Sequence, residues 1–275
     1  MKTTRSVRTI VILLGLCLCV KMLPGTAIAA SSLTAPYTAT VTAIHKVTGY
    51  TATFSVLANP GAVLIGVEDL RLNYDHDTKL QECEESIQTC GYEYDYRYGS
   101  FTPSQIDQAL ADQSNKVFVI SCHGEVLHNA SNEAIGSLLY LNENDRTVQY
   151  TSNGSINILD LSHLDLVIFN SCHSAHGGEN AVNLPSVAVA RGAKTAIGFK
   201  TTVGVDASNA WIEALFKELA AGKTVEEAVQ AGKEAARAHF MNKVDNDEDA
   251  ANYLYEEGHI ESCEIFGDKN LRLDY

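Results

Sequence analysis

The sequence predicts an α/β fold, a mostly parallel sheet with helices on both faces, preceded by a short β-hairpin segment. Two observations carry the parallel sheet. Continuous apolar runs at 62–67, 117–121, 165–170 and 194–199 suit strands buried on both faces. Stretches with helical spacing and helix-start signals separate them. A third observation, near-alternating polarity rich in Thr, Val, Tyr and Phe over 37–57 with a break at Thr48 and Gly49, predicts the hairpin.

In chain order, Lys2, Arg5 and Arg8 precede an apolar run over 9–20 and the small residues Ala27 and Ala29. That is the layout of a secretory signal peptide, and the run is too short to span a bilayer comfortably. The expected organisation is a signal peptide over 1–29, an N-terminal β segment over 30–60 closed by Asn59-Pro60-Gly61, and the α/β domain over 61–275. Removal of the signal leaves roughly 245 residues, enough for one domain with a full core. The expected location is extracytoplasmic, with no stable membrane insertion once the signal is cleaved.

Within the domain, 77–88 reads as a polar-faced helix, and Tyr92, Tyr94, Tyr96 and Tyr98 alternate with charged residues as a strand. Thr102 and Pro103 open a helix through Leu110. Turn residues over 142–155 read as an exposed loop, and an Ala-rich helix runs up to Arg191-Gly192. Trp211, Ala214, Leu215 and Leu219 recur at helical spacing, and Thr224 with Glu227 forms a capping box for a helix through about Phe240.

Charge excludes some partners. The chain carries 20 basic and 34 acidic residues; the signal removes four of the basic ones, leaving 16 against 34, a net charge of −18. Nucleic acid is a poor partner for such a surface. Of seven cysteines, two lie in the signal, so five remain and at least one thiol is unpaired. Cys83 and Cys90 on one unbroken helix would stand about 10 Å apart, too far for a disulfide unless the helix ends before Gly91.

The chemistry concentrates at two strand endings. Val117 to Ser121 runs into Cys122-His123-Gly124, and Leu166 to Asn170 runs into Ser171-Cys172-His173. In open α/β sheets ligands bind beyond the carboxyl ends of the strands. A cysteine attacks a carbonyl as thiolate and needs an imidazole to take and return the proton. His123 as base and Cys172 as nucleophile fill those roles, with the backbone at Gly124 and Cys172 as oxyanion or substrate-backbone contacts. Strand alternation sends Cys122 to the face opposite His123. The base precedes the nucleophile by 49 residues, against about 50 in caspases.

The run Ser171-Cys172-His173-Ser174 resembles the nucleophile motif of metacaspases, and Cys122-His123-Gly124 resembles the ending of their catalytic-base strand. Residues 188–197 and 211–236 are similar to CHAT-domain and gingipain-type peptidases, as is the tail from Phe266 to Leu273. The resemblance implies a caspase-hemoglobinase fold over 61–275 and a cysteine endopeptidase acting on protein or peptide substrates without an organic cofactor. Metacaspases carry an acidic residue two positions before the nucleophile; here Asn170 occupies that place and is the substrate-pocket candidate.

Two other readings use the same residues. One is a catalytically inactive binding module on this fold. The other is a zinc site from Cys122, His123, His128, Cys172, His173 and His176, against which stands the absence of paired metal-ligand motifs. Asp245, Asp247, Asp249 and Glu256 follow an EF-hand-like count, with Ala250 in place of the required glycine; they are the calcium candidates.

Overall fold

The computed structural model describes residues 26–34, 38–45, 51–57, 59–68, 76–142 and 144–273. The chain divides into two units, Met1–Ala58 and Asn59–Tyr275. In the first, β1 (Thr26–Thr34), β2 (Thr38–His45) and β3 (Thr51–Leu57) form an antiparallel sheet in that order. The pair β2 and β3, with Thr38 opposite Leu57 and Ile44 opposite Thr51, is the hairpin that the alternating polarity predicts. β1 is an additional strand and contains the expected processing point near Ala29. The basic and apolar parts of the expected signal, and the turn at Thr48-Gly49, lie outside the described residues.

The second unit is built on a six-stranded sheet. Its strands are β4 (Gly61–Val67), β5 (Glu93–Gly99), β6 (Asn115–Ser121), β10 (Leu166–Asn170), β11 (Thr195–Phe199) and β12 (Cys263–Gly267), arranged β12-β11-β10-β6-β4-β5. All neighbours are parallel except β12, which runs antiparallel to β11. Period-two alternation splits the apolar runs between two cores. Leu64, Val119 and Ile168 point to one face, and Ile65, Ile120 and Phe169 to the other.

Helices cover both faces. On the first lie α1 (His76–Glu82), α2 (Glu84–Thr89), α5 (Val205–Ala220) and α6 (Val225–Lys243), with α5 packed on α6 and touched by α1 and α2. On the second lie α3 (Pro103–Ala111) and α4 (Leu184–Ala190). The helix-start signals act as expected. The Thr102 amide donates to Gln105 Oε1 at 2.8 Å, and the Thr224 amide donates to Glu227 Oε2 at 2.8 Å. Among the described residues no helix is long and apolar enough to cross a membrane.

Trp211 on α5 is fully buried and meets Phe199 edge-to-face at 5.2 Å between ring centroids. Truncation there leaves a large void between α5 and the sheet. Trp211→Ala is expected to cost about 3–5 kcal/mol, measured as a lowered urea midpoint followed by circular dichroism because the chain has one Trp. A loss below about 1 kcal/mol would show that α5 does not hold the core.

Three expectations need correction. The helix over 77–88 is two short helices that break at Cys83, whose thiol donates to the Lys79 carbonyl. The expected loop over 142–155 contains a short strand, β9 (Gln149–Thr151), because Tyr150 is buried and donates its hydroxyl to Asp107 at 2.8 Å. With β7 (Gly124–His128) and β8 (Ala134–Tyr140) it forms a second, antiparallel sheet inserted between β6 and β10. The EF-hand-like count also dissolves. Asp247 caps α7 (Glu248–Glu257) by accepting from the Ala250 amide, which winds Asp249 and Glu256 into helix where a loop was needed.

Candidate functional site

The site is set by register. Every pair between β6 and β10 has the same offset, from Val117 opposite Leu166 to Ser121 opposite Asn170. His123 and Cys172, each two positions beyond its strand, are separated by the same 49 residues. The separation noted in the sequence is therefore the register offset of two neighbouring parallel strands. A one-residue slip would turn one partner to the opposite face.

Close packing holds the two endings together. A side chain on Gly124 would stand 2.5 Å from the Cys172 carbonyl oxygen and clash with Ser171 Oγ. Ser137 on β8 ties the inserted sheet to the turn that carries Cys172. Its hydroxyl donates to the Ser174 carbonyl at 2.9 Å and accepts from the Leu184 amide at 3.0 Å. Ser174 Oγ in turn donates toward Phe169 and Ser171 carbonyls and accepts from the Phe199 amide at 3.0 Å. His173 completes the turn with a left-handed φ of 56°, a conformation a non-glycine residue keeps only when its surroundings impose it.

The segment after β11 lies across this turn. The Thr201 carbonyl accepts from the His173 amide at 2.9 Å, and the Val203 amide donates to Cys172 Sγ at 3.3 Å. The Val203 carbonyl stands 3.6 Å from the same sulfur. Burial raises the Cys172 thiol above its ordinary value, while the Val203 amide and the residue's own amide oppose the shift. Burial lowers His173, and a neighbouring edge-to-face His176 ring, 6.2 Å away, lowers it further.

A raised thiol pKa means less thiolate at neutral pH. With His123 replaced by alanine, alkylation of Cys172 by iodoacetamide is expected to accelerate with pH through and past the ordinary thiol range of about 8.5. Quenched mass spectrometry measures it, and a rate that levels off below neutrality would contradict the burial argument.

Of the residues singled out in the sequence, His123, Gly124, Asn170 and Cys172 lie at one edge of the sheet. His123 and Cys172 are half-buried; Gly124 and Asn170 are buried. Cys122 packs in the core with Phe118 and Ile120, on the face opposite. All five cysteines of the described residues are free, Cys83 and Cys90 included, and only Cys172 among them is not buried. Among the described residues no group of three or more His, Cys, Asp or Glu side chains is placed to hold a metal ion. The Val203 segment has no signal in the sequence, because it acts through backbone atoms.

No curated protein sequence matches the chain. Among solved structures it is similar to the Arg-specific cysteine proteinase gingipain R, with a TM-score of 0.52 and 14% identity over 78% of this chain and 47% of that one. It is also similar to the complex of Porphyromonas gingivalis RgpB pro- and mature domains, with a TM-score of 0.54 and 13% identity over 78% of this chain and 48% of that one. The chain thus spans about half the length of either, and shares with them the caspase-hemoglobinase-like fold. The CHAT domain model matches residues 96–250, more than half of the sequence and including both strand endings, so the chain belongs to the CHAT domain family.

Proposed function

We propose that this protein is an exported cysteine endopeptidase that hydrolyses peptide bonds through a dyad of Cys172 and His123. The observation that supports the reading is the parallel pairing of β6 with β10, since His123 and Cys172 each follow one of these adjacent strands by two positions. The leader pattern over 1–29 supports export.

His123 takes the proton of Cys172, and the thiolate attacks the substrate carbonyl carbon. A carbon–sulfur bond forms, and the negative charge moves to the carbonyl oxygen, where the backbone at Gly124 and Cys172 supplies stabilisation. Collapse breaks the carbon–nitrogen bond while His123 returns the proton to the leaving amine. Water then attacks the thioester with His123 as base, releasing the acid and regenerating the thiol. The Val203 amide on Cys172 Sγ stabilises the thiolate that burial disfavours. Asn170, two residues before the nucleophile, belongs to the pocket for the substrate side chain preceding the cleaved bond.

The test is labelling by a peptidyl chloromethyl ketone series, with the adduct mapped by mass spectrometry. The expected adduct lies on Cys172 and forms at least about tenfold more slowly in His123→Ala. Absence of a Cys172 adduct in the folded protein, with alkylation appearing only after unfolding, would dismiss the peptidase reading.

A further inference from the structure

Four strands end in one row: Tyr98 on β5 is opposite Gly66 on β4, which is opposite Ser121 on β6, which is opposite Asn170 on β10. Ser121 and Asn170 follow Val119 and Ile168 at period two, so the row continues the face that packs against α5 and α6. Asn170 is 4% exposed, and its Nδ2 donates to Ser121 Oγ at 3.2 Å, yet its Oδ1 has no hydrogen-bond partner. The Tyr96 hydroxyl stands 3.2 Å from where a Gly66 side chain would begin, and it too is buried without a partner.

A buried polar atom with no partner gives up its hydration for nothing, and such atoms are few in native proteins. Two of them on one face near the carboxyl edge of the sheet, Asn170 Oδ1 and the Tyr96 hydroxyl, therefore point to a ligand group. None of Gly66, Tyr96, Ser121 and Asn170 carries a carboxylate, so none of them would neutralise a cation entering there. A carboxamide both donates and accepts, and it complements Asn170 whichever way that amide is turned.

Resting on the peptidase reading, we infer that Asn170 selects substrates whose residue before the cleaved bond has an uncharged carboxamide side chain, Asn or Gln.

The experiment compares kcat/KM for peptides with Asn, Gln, Arg, Lys, Asp or Ala at that position, in the wild-type chain and in Asn170→Asp. The expected result is at least about a tenfold preference for Asn and Gln over Arg and Lys. In Asn170→Asp the ranking reverses toward Arg and Lys by a similar factor. A wild-type preference for Arg or Lys, or a ranking unchanged in Asn170→Asp, overturns the inference. Iodoacetamide labelling of Cys172 requires no side-chain recognition, so a rate that falls in His123→Ala together with a flat ranking sinks the selectivity while leaving the dyad standing. If no peptide is turned over, calorimetric binding of the series to Cys172→Ala decides by the same ranking.

Discussion

Cys172→Ala is expected to lower peptide turnover by at least about 10⁴-fold, because the covalent route needs the sulfur and no neighbour replaces it. The other thiols are poorly placed to substitute. Cys122 lies in the opposite core, and Cys83 and Cys263 are buried, their thiols pushed up to about 12. The fold should barely register the change, since Cys172 is half-buried and its contact is with the Val203 backbone. A melting midpoint by circular dichroism within a few degrees of the parent, with activity gone, is the expected pair of results. Residual turnover within tenfold of the parent would remove Cys172 from the reaction.

Gly124→Val should damage stability and chemistry together. The added Cβ meets the Cys172 carbonyl at 2.5 Å and the Leu138 carbonyl at 2.9 Å, both backbone atoms with no rotamer to yield. Overpacking of this kind costs about 1–3 kcal/mol, and forcing the carbonyls apart places this case at the upper end. The backbone that must shift also carries Cys172, the proposed nucleophile, and a displacement of about 1 Å can cost about 10²-fold in rate. Chemical denaturation and kcat/KM measured together distinguish the two effects. A variant with the parent's midpoint and the parent's rate would show that the two strand endings are not in contact.

The sheet centre was readable because β4, β6, β10 and β11 are short apolar runs flanked by turn residues, a pattern that only strands buried on both faces require. The inserted β7 and β8 were not. Glu125 and His128 interrupt the polarity pattern, and β7 begins directly after His123, where the sequence offers a motif and no turn. The acidic stretch from Asp245 reads as an EF-hand-like count and not as a helix, since its charges mask the burial of Ala251 that anchors α7. The strand endings at His123 and Cys172 stood out by residue type, but the pairing of the two strands that lead into them depends on register, which no local pattern encodes. The Ser121–Asn170 hydrogen bond and the Val203 contact on sulfur depend on the same long-range geometry.

The inserted sheet changes the meaning of the distance between His123 and Cys172 along the chain. The strands that lead into the two residues are aligned by pairing between β6 and β10, whereas the segment between them is consumed by a three-stranded sheet that leaves the six-stranded one and returns to it. Its far tip, around Asn129 to Glu133, is exposed and closed by its own Asn129 hydrogen bonds. That tip is a permissive place to graft an epitope or a reporter loop, since a longer excursion adds residues without shifting a single rung of the ladder below it.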